Sequence, residues 1–251
     1  MKRVLVFTYG VICYAIFFAT FLYAAGFIGN FFVPKSIDSG ATVPLGMALL
    51  INEALLGLFA LQHSVMARQG FKKLLTKIIT PAAERSTYVL LSSVCLILLF
   101  AYWQPMGGVI WDVQEATGRA ILYALFAFGW LLVLVTTFLI NHFDLFGLRQ
   151  VWLYLRGKDY KPLGFVTPGP YKLVRHPLYV GWFFAFWATP TMTAAHLVFA
   201  IATTAYILFA IQLEERDLQK IHGANYVNYR RDVPMLIPAL RKKPALQEVA
   251  S

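Results

Sequence analysis

Apolar residues run in five long stretches, at about 4–28, 44–66, 86–103, 119–140 and 178–213, and nearly all charges fall between them. A bilayer core of about 30 Å takes roughly 20 helical residues, so each of the first four stretches predicts one membrane-crossing helix. The fifth is too long for a single crossing. Thr189-Pro190-Thr191 interrupts its middle, and the residue before a proline is pushed off the helical region. It predicts a hairpin of two tilted or short helices. The pattern therefore reads as an all-α integral membrane protein with six crossings, or five if the last stretch is one kinked helix.

Composition agrees with that reading. Hydrophobic residues make up 59% of the 251 and charged residues only 14%, against roughly a quarter in soluble domains. An aromatic share of 16% and only 17 glycines exclude disorder and collagen-like repeats. The net charge of +10 would suggest nucleic acid in a soluble chain, so the positions of the charges decide. Lys2 and Arg3 precede the first stretch, which puts the N-terminus inside. Alternation then puts 29–43 and 104–118 outside, holding Lys35, Asp38, Asp112 and Glu115, with Arg119 at the membrane edge. Every other basic residue lies inside. The excess charge is thus an orientation signal that needs no nucleic acid, with a modest role toward anionic lipid or an anionic cofactor left open.

The first stretch is about twice the length of a signal-peptide core, so it reads as a retained anchor. Cys13 and Cys95 fall inside spans and form no metal-ligand spacing, which predicts buried apolar thiols, no disulfide and no metal.

The two halves differ. Residues 1–140 read as scaffold and 141–251 as the catalytic region, ending in a C-terminal lid, within one integrated domain. In the second span Asn52 and His63 are eleven residues apart, as are Glu53 and Ser64; eleven residues is close to three helical turns, so each pair shares a face. Helix–helix hydrogen bonding explains these residues, or else Gln62 and His63 line the roof of a site. After the fourth span, His142 and Asp144 stand two apart, with Arg149 and Gln150 beyond. An imidazole and a carboxylate beside a cavity suit proton abstraction. Arg175-His176-Pro177 precedes the hairpin, Tyr179 and Gly181 open it, and Pro177 suits a first helical turn. That helix start, with Arg175 and His176 beside it, is a ready anion site. Beyond the hairpin, Gly223 reads as a C-cap. The adjacent carboxylates of Glu214 and Glu215 either pair locally with Arg216 and Lys220 or face a ligand ammonium.

The blocks Gly169-Pro170-Tyr171, Arg175-His176-Pro177-Leu178-Tyr179-Val180-Gly181, Glu214-Glu215, Gly223, Tyr226, Tyr229 and Val233-Pro234 resemble the isoprenylcysteine carboxyl methyltransferase and phospholipid methyltransferase superfamily over about 165–240. Further stretches resemble a narrower group, the methanethiol S-methyltransferases and their NnrU-type relatives. These are Val33–Asp38, Leu61–Arg68, Ala83–Tyr88, Trp103-Gln104-Pro105 and His142–Gly147. The resemblance implies S-adenosylmethionine bound at the cytoplasmic side without a Rossmann domain. Tyr171, Arg175, His176, Pro177, Tyr179 and Gly181 would line it, Glu214 and Glu215 would face its amino group and ribose, and Tyr226, Tyr229 and Arg230 would close a lid. The implied reaction is methylation of methanethiol to dimethyl sulfide at a bacterial inner membrane, with both termini cytoplasmic and no obligate protein partner.

A thiol reacts best as thiolate, so a base or cation is expected near the sulfur: His142 with Asp144, supported by Gln62, His63 and Arg149. The alternatives are a prenylcysteine carboxylate or phospholipid amine acceptor, an NADPH-dependent reductase of sterol-reductase type, which shares a similar Arg-His-Pro ending, and a non-catalytic channel or accessory protein.

Overall fold

A computed structural model describes residues 1–238. Five long helices dominate: α1 (Lys2–Gly29), α2 (Leu45–Met66), α4 (Pro81–Tyr102), α5 (Ala116–Ile140) and α9 (Ala194–His222). Short helices lie between and after them: α3 (Gln69–Leu75), α6 (His142–Leu145), α7 (Leu148–Leu155), α8 (Pro177–Trp187) and α10 (Ala224–Asp232). Strands β1 (Val109–Asp112) and β2 (Thr191–Thr193) pair antiparallel. We call the end where α1 begins proximal; it carries α3, α6, α7, α10 and the junctions around them. The distal end carries the strands and the 30–44 loop. The apolar helices make this a multi-pass membrane protein, and the lipid-facing surface is correspondingly rich in exposed Leu, Ile, Val and Phe.

The fifth apolar stretch splits as its proline requires, but its two arms are unequal. The eleven residues of α8 span only about 16 Å, and the pass is completed by non-helical residues leading into β2. Backbone leaving a helix inside a membrane must find partners in the protein. Here the His196 ring bonds the Phe186 carbonyl at 2.9 Å. The Trp111 indole donates to Thr189 O at 3.1 Å, and the Val113 N–H donates to Pro190 O at 2.9 Å. β1 and the residue after it thus supply the break with two donors. Five helices are long and apolar enough to cross a membrane, and α8 with the break after it forms the short arm of a hairpin with α9.

α8 packs against α5 at unusually short range. A Cβ on Gly129 would lie 2.5 Å from Ala185 N, and one on Gly181 would lie 2.8 Å from Gly129 O. Small residues at a membrane-helix interface permit this backbone approach. Gly181 is therefore held by packing against α5.

The eleven-residue spacing in α2 is borne out. Asn52 is fully buried and clamps Gln104 through both its amide groups, each at 2.8 Å, while His63 turns to Tyr88 and Ser92 of α4. On the other face, Ser64 meets Tyr206 of α9 at 3.0 Å, and Glu53 lines a gap against the same helix. Cys13 and Cys95 are buried free thiols.

Candidate active site

The proximal end of α9 gathers the charges. Consecutive helical residues point about 100° apart, so Glu214 and Glu215 are sent to different surroundings. Glu215 faces inward: its side chain is 4% exposed, accepts from Arg175 Nε at 2.7 Å and bonds His176 Nε2 at 3.0 Å, and forms an ion pair with Arg230 Nε at 3.0 Å. Glu214 stays 44% exposed, takes the Tyr179 hydroxyl at 2.9 Å and lies 3.8 Å from His176 Nδ1. The partners of both carboxylates come from α8, its leading turn and α10, and not from Arg216 or Lys220 of their own helix.

The leading turn is fixed from the C-terminal side. Pro177 opens α8 with His176 as its N-cap, as its ring favours. The Arg175 and His176 N–H groups donate to Pro234 O and Met235 O, and Arg175 Nη1 reaches Val233 O at 2.6 Å and Arg230 O at 3.0 Å. Gly223, at φ +54°, closes α9 and lets α10 fold back. Tyr229 of α10 donates to Tyr171 O at 2.6 Å. Tyr226 is buried, and its hydroxyl has no hydrogen-bond partner among the described residues. Phe165 packs against both tyrosine rings and against His222. Burial raises the pKa of Tyr229 to about 12 and pushes Tyr171 and Tyr226 up too, so all three phenols remain protonated donors.

A second polar group approaches from α2 and α4. His63 stacks on Phe59, its Nε2 lies 2.8 Å from the Tyr88 hydroxyl and its Nδ1 3.2 Å from the Ser92 hydroxyl. Arg85 lies 5.0 Å above the Tyr88 ring and donates to Leu145 O. Arg68 pairs with Asp217 at 2.8 Å, tying α2 to α9. Gln62 donates to the Met66 sulfur, and its carbonyl oxygen is buried without a partner. Phe59, on which His63 stacks, also meets the Tyr206 ring of α9 at 6.3 Å, so this group faces the helix that carries Glu214.

His142 and Asp144 do not form a dyad. The His142 ring is 2% exposed, and its nitrogens meet Tyr14 and Thr137 hydroxyls, each at 2.8 Å, while the ring stacks on Phe138 at 4.1 Å. Burial lowers its pKa from 6.5. Asp144 turns instead to Arg149 at 2.8 Å and Tyr160 at 3.2 Å. Arg149 also donates to Lys161 O and packs on the Tyr160 ring. Tyr88, Ser92 and Tyr206 were missed as site candidates. Tyr88 closes the family-like stretch Ala83–Tyr88, whereas Ser92 and Tyr206 stand out in the sequence only as polar interruptions of apolar runs.

Residues 118–225 match the phospholipid methyltransferase family. The chain is 61% identical to methanethiol S-methyltransferase of Crocosphaera subtropica, over 97% of this chain and 95% of that protein. It is 54% identical to methanethiol S-methyltransferase of Mycobacterium tuberculosis, over 95% and 98%, and 52% identical to methanethiol S-methyltransferase 2 of Bradyrhizobium diazoefficiens, over 95% and 92%. No solved structure matches significantly. Likeness at this level over nearly whole chains places the protein in the methanethiol S-methyltransferase family of membrane methyltransferases.

Proposed function

We propose that the protein methylates methanethiol to dimethyl sulfide, with S-adenosylmethionine as donor, at the proximal end of α8 and α9. The observation that carries the donor site is the division of labour between the two glutamates. Glu215 is consumed in holding Arg175, His176 and Arg230, whereas Glu214 presents a half-exposed carboxylate anchored by Tyr179. The residues suit an amino acid bearing a nucleoside. Glu214 would take the ammonium, Arg230, itself 46% exposed, the carboxylate, and the Phe165, Tyr226 and Tyr229 rings the adenine. The unpartnered Tyr226 hydroxyl offers one further donor. When bound, S-adenosylmethionine supplies an electrophilic methyl group on a sulfonium.

Such a transfer needs in-line approach and exclusion of water. α10 and the 233–236 segment supply the cover; the part of the expected C-terminal lid after residue 238 lies outside the described residues. Methylation of a thiol releases a proton. His176 lies beside Glu214 but is engaged by the Glu215 carboxylate; His63, whose ring Tyr88 and Ser92 orient, is the imidazole we assign to accept that proton in its neutral form. His142, Asp144 and Arg149 hold α6 and α7 beside α1 in this reading. His63 and the two hydroxyls that orient it, Tyr88 and Ser92, thus all come from the 1–140 half. We place the proximal end, and with it the N-terminus, in the cytoplasm of a bacterial cell, since among the described residues every basic residue but Lys35 and Arg119 belongs to that side. The expected cytoplasmic C-terminus lies outside the described residues.

The test is purified protein with radiolabelled S-adenosylmethionine and a panel of thiol, carboxylate and amine acceptors. The expected result is label in dimethyl sulfide when methanethiol is supplied. Donor binding without transfer to any thiol overturns the reading.

A further inference from the structure

Ser64 of α2 meets Tyr206 midway along α9, and Arg68, in the turn after α2, pairs with Asp217 near the proximal end of α9, but toward the distal end the two helices part. The gap is a cavity of about 200 Å³ lined by Glu53, Leu56, Phe59, Ala202, Thr203 and Tyr206, with Gly57 and Ala60 at its wall. Leu58 and Leu61 of α2 and Ile201 and Leu208 of α9 flank it, all exposed on the lipid-facing surface. The cavity therefore opens sideways toward hydrocarbon. Its inner end is closed by two rings: Phe59, stacked on His63 at 5.1 Å, and Tyr206, whose ring is 6.3 Å from Phe59. Glu53 stands midway along α2, and its side chain has no hydrogen-bond or ion-pair partner among the described residues. A carboxyl group so placed is costly and marks a functional position by default.

We propose that this cleft admits and binds the acceptor, a small apolar thiol arriving from the bilayer, with Glu53 as its polar anchor and Phe59 and Tyr206 as the threshold to His63. The inference rests on the methyltransferase reading above. Size, lining and neighbourhood favour this occupant. Pockets for drug-sized ligands run to roughly 300–1,000 Å³, so this one suits a molecule of a few heavy atoms and not a prenyl or acyl chain. The lining is apolar except for Glu53, Thr203 and Tyr206, and a thiol S–H needs one acceptor, which a carboxyl oxygen supplies. Methanethiol dissolves in lipid, so a lateral opening meets it where it concentrates.

Gly57 makes the proposal testable, because a Cβ there meets nothing within 4 Å. Gly57→Leu extends a side chain into the cleft, and Ala202→Leu does so from the opposite wall. Each is assayed in nanodiscs for methanethiol and S-adenosylmethionine kinetics, with donor affinity measured by calorimetry. A KM for methanethiol raised at least about tenfold, with donor affinity unchanged and longer thiols excluded more strongly, is the expected result. Glu53→Leu, which keeps the side-chain bulk, should raise the same KM. Methanethiol KM within twofold of wild type in the variants that fold, as judged by donor binding, overturns the cleft. Because Glu53→Leu replaces a lipid-exposed group with an apolar one, it remains decisive if a plugged variant does not fold. A wild-type protein that binds the donor yet methylates no thiol removes the underlying reading instead.

Discussion

Arg175 and Glu215 meet at 2.7 Å with side chains only 10% and 4% exposed, so the first conspicuous basic residue of the Arg-His-Pro turn is spent on another protein group. The adjacent glutamates are consequently not equivalent. Removing one partner of a buried ion pair leaves an uncompensated charge and costs about 3–5 kcal/mol. Glu215→Ala should lower stability by that order. Glu214→Ala should leave stability within about 0.5 kcal/mol while weakening donor binding at least tenfold. Denaturant unfolding in detergent and donor calorimetry separate the two. Equal stability losses in both variants would defeat the assignment.

His63 and His142 are distinguished in the same way. If His63 takes the thiol proton, His63→Ala should cut kcat by roughly 10²–10⁴-fold with donor affinity unchanged. His142→Ala strips two hydroxyls, Tyr14 and Thr137, of their partner, at about 1–3 kcal/mol for each left buried and unsatisfied. Its defect should therefore appear as lost stability, with kcat of the folded fraction near wild type. Single-turnover rates normalised to donor-binding sites are the measurement. A folded His142 variant with a collapsed rate would return the base to that position.

Much of this was legible in the sequence. Most helix ends fall close to those of the apolar stretches, because hydrophobic length is a local property, whereas α9 runs on past residue 213 to His222 through the charged residues of the site. Thr189-Pro190-Thr191 marked the break, and the eleven-residue spacing in α2 put Asn52 and Glu53 on the faces they use. Strand β1 was not visible. Its four residues gain their structure from β2, some 80 positions away, and no local pattern encodes such a partner. The Glu214–Glu215 doublet announced a charged site, but which member turns inward depends on how α9 is rotated against α8. His142 and Asp144, close in the chain, take separate partners for a related reason. Two residues of spacing are easy to read, whereas the better-placed partners Tyr14 and Thr137 come from elements that only packing brings together.

Acid should destabilise the protein through His142. Burial lowers its pKa below 6.5, so as pH falls the unfolded chain takes up a proton before the folded one does. The stability contributed by the neutral ring is complete above about pH 6.5 and declines below it, by at most about 1.4 kcal/mol per pH unit. Unfolding free energies of wild type and His142→Gln at pH 7.5 and 5.5 give the comparison. The gap between the two proteins should narrow at the lower pH. A gap that widens would mean the folded state favours the charged ring.

Gly181 tests whether the α8 start is shaped by packing or by direct contact with the donor. A Cβ there would lie 2.8 Å from Gly129 O and 2.9 Å from Val133 N. Those are backbone atoms of α5, which cannot swing aside as a side-chain end would, so Gly181→Ala must push α8 away from α5. Overpacking of this kind costs about 1–3 kcal/mol. Because His176 and Tyr179 ride on the same end of α8, donor affinity should fall along with stability. Gly57→Ala, into open space, serves as the control. It should be neutral or stabilising by up to about 1 kcal/mol from helix propensity alone. Gly181→Ala with wild-type stability but lost donor binding would show that the glycine faces the donor and not α5.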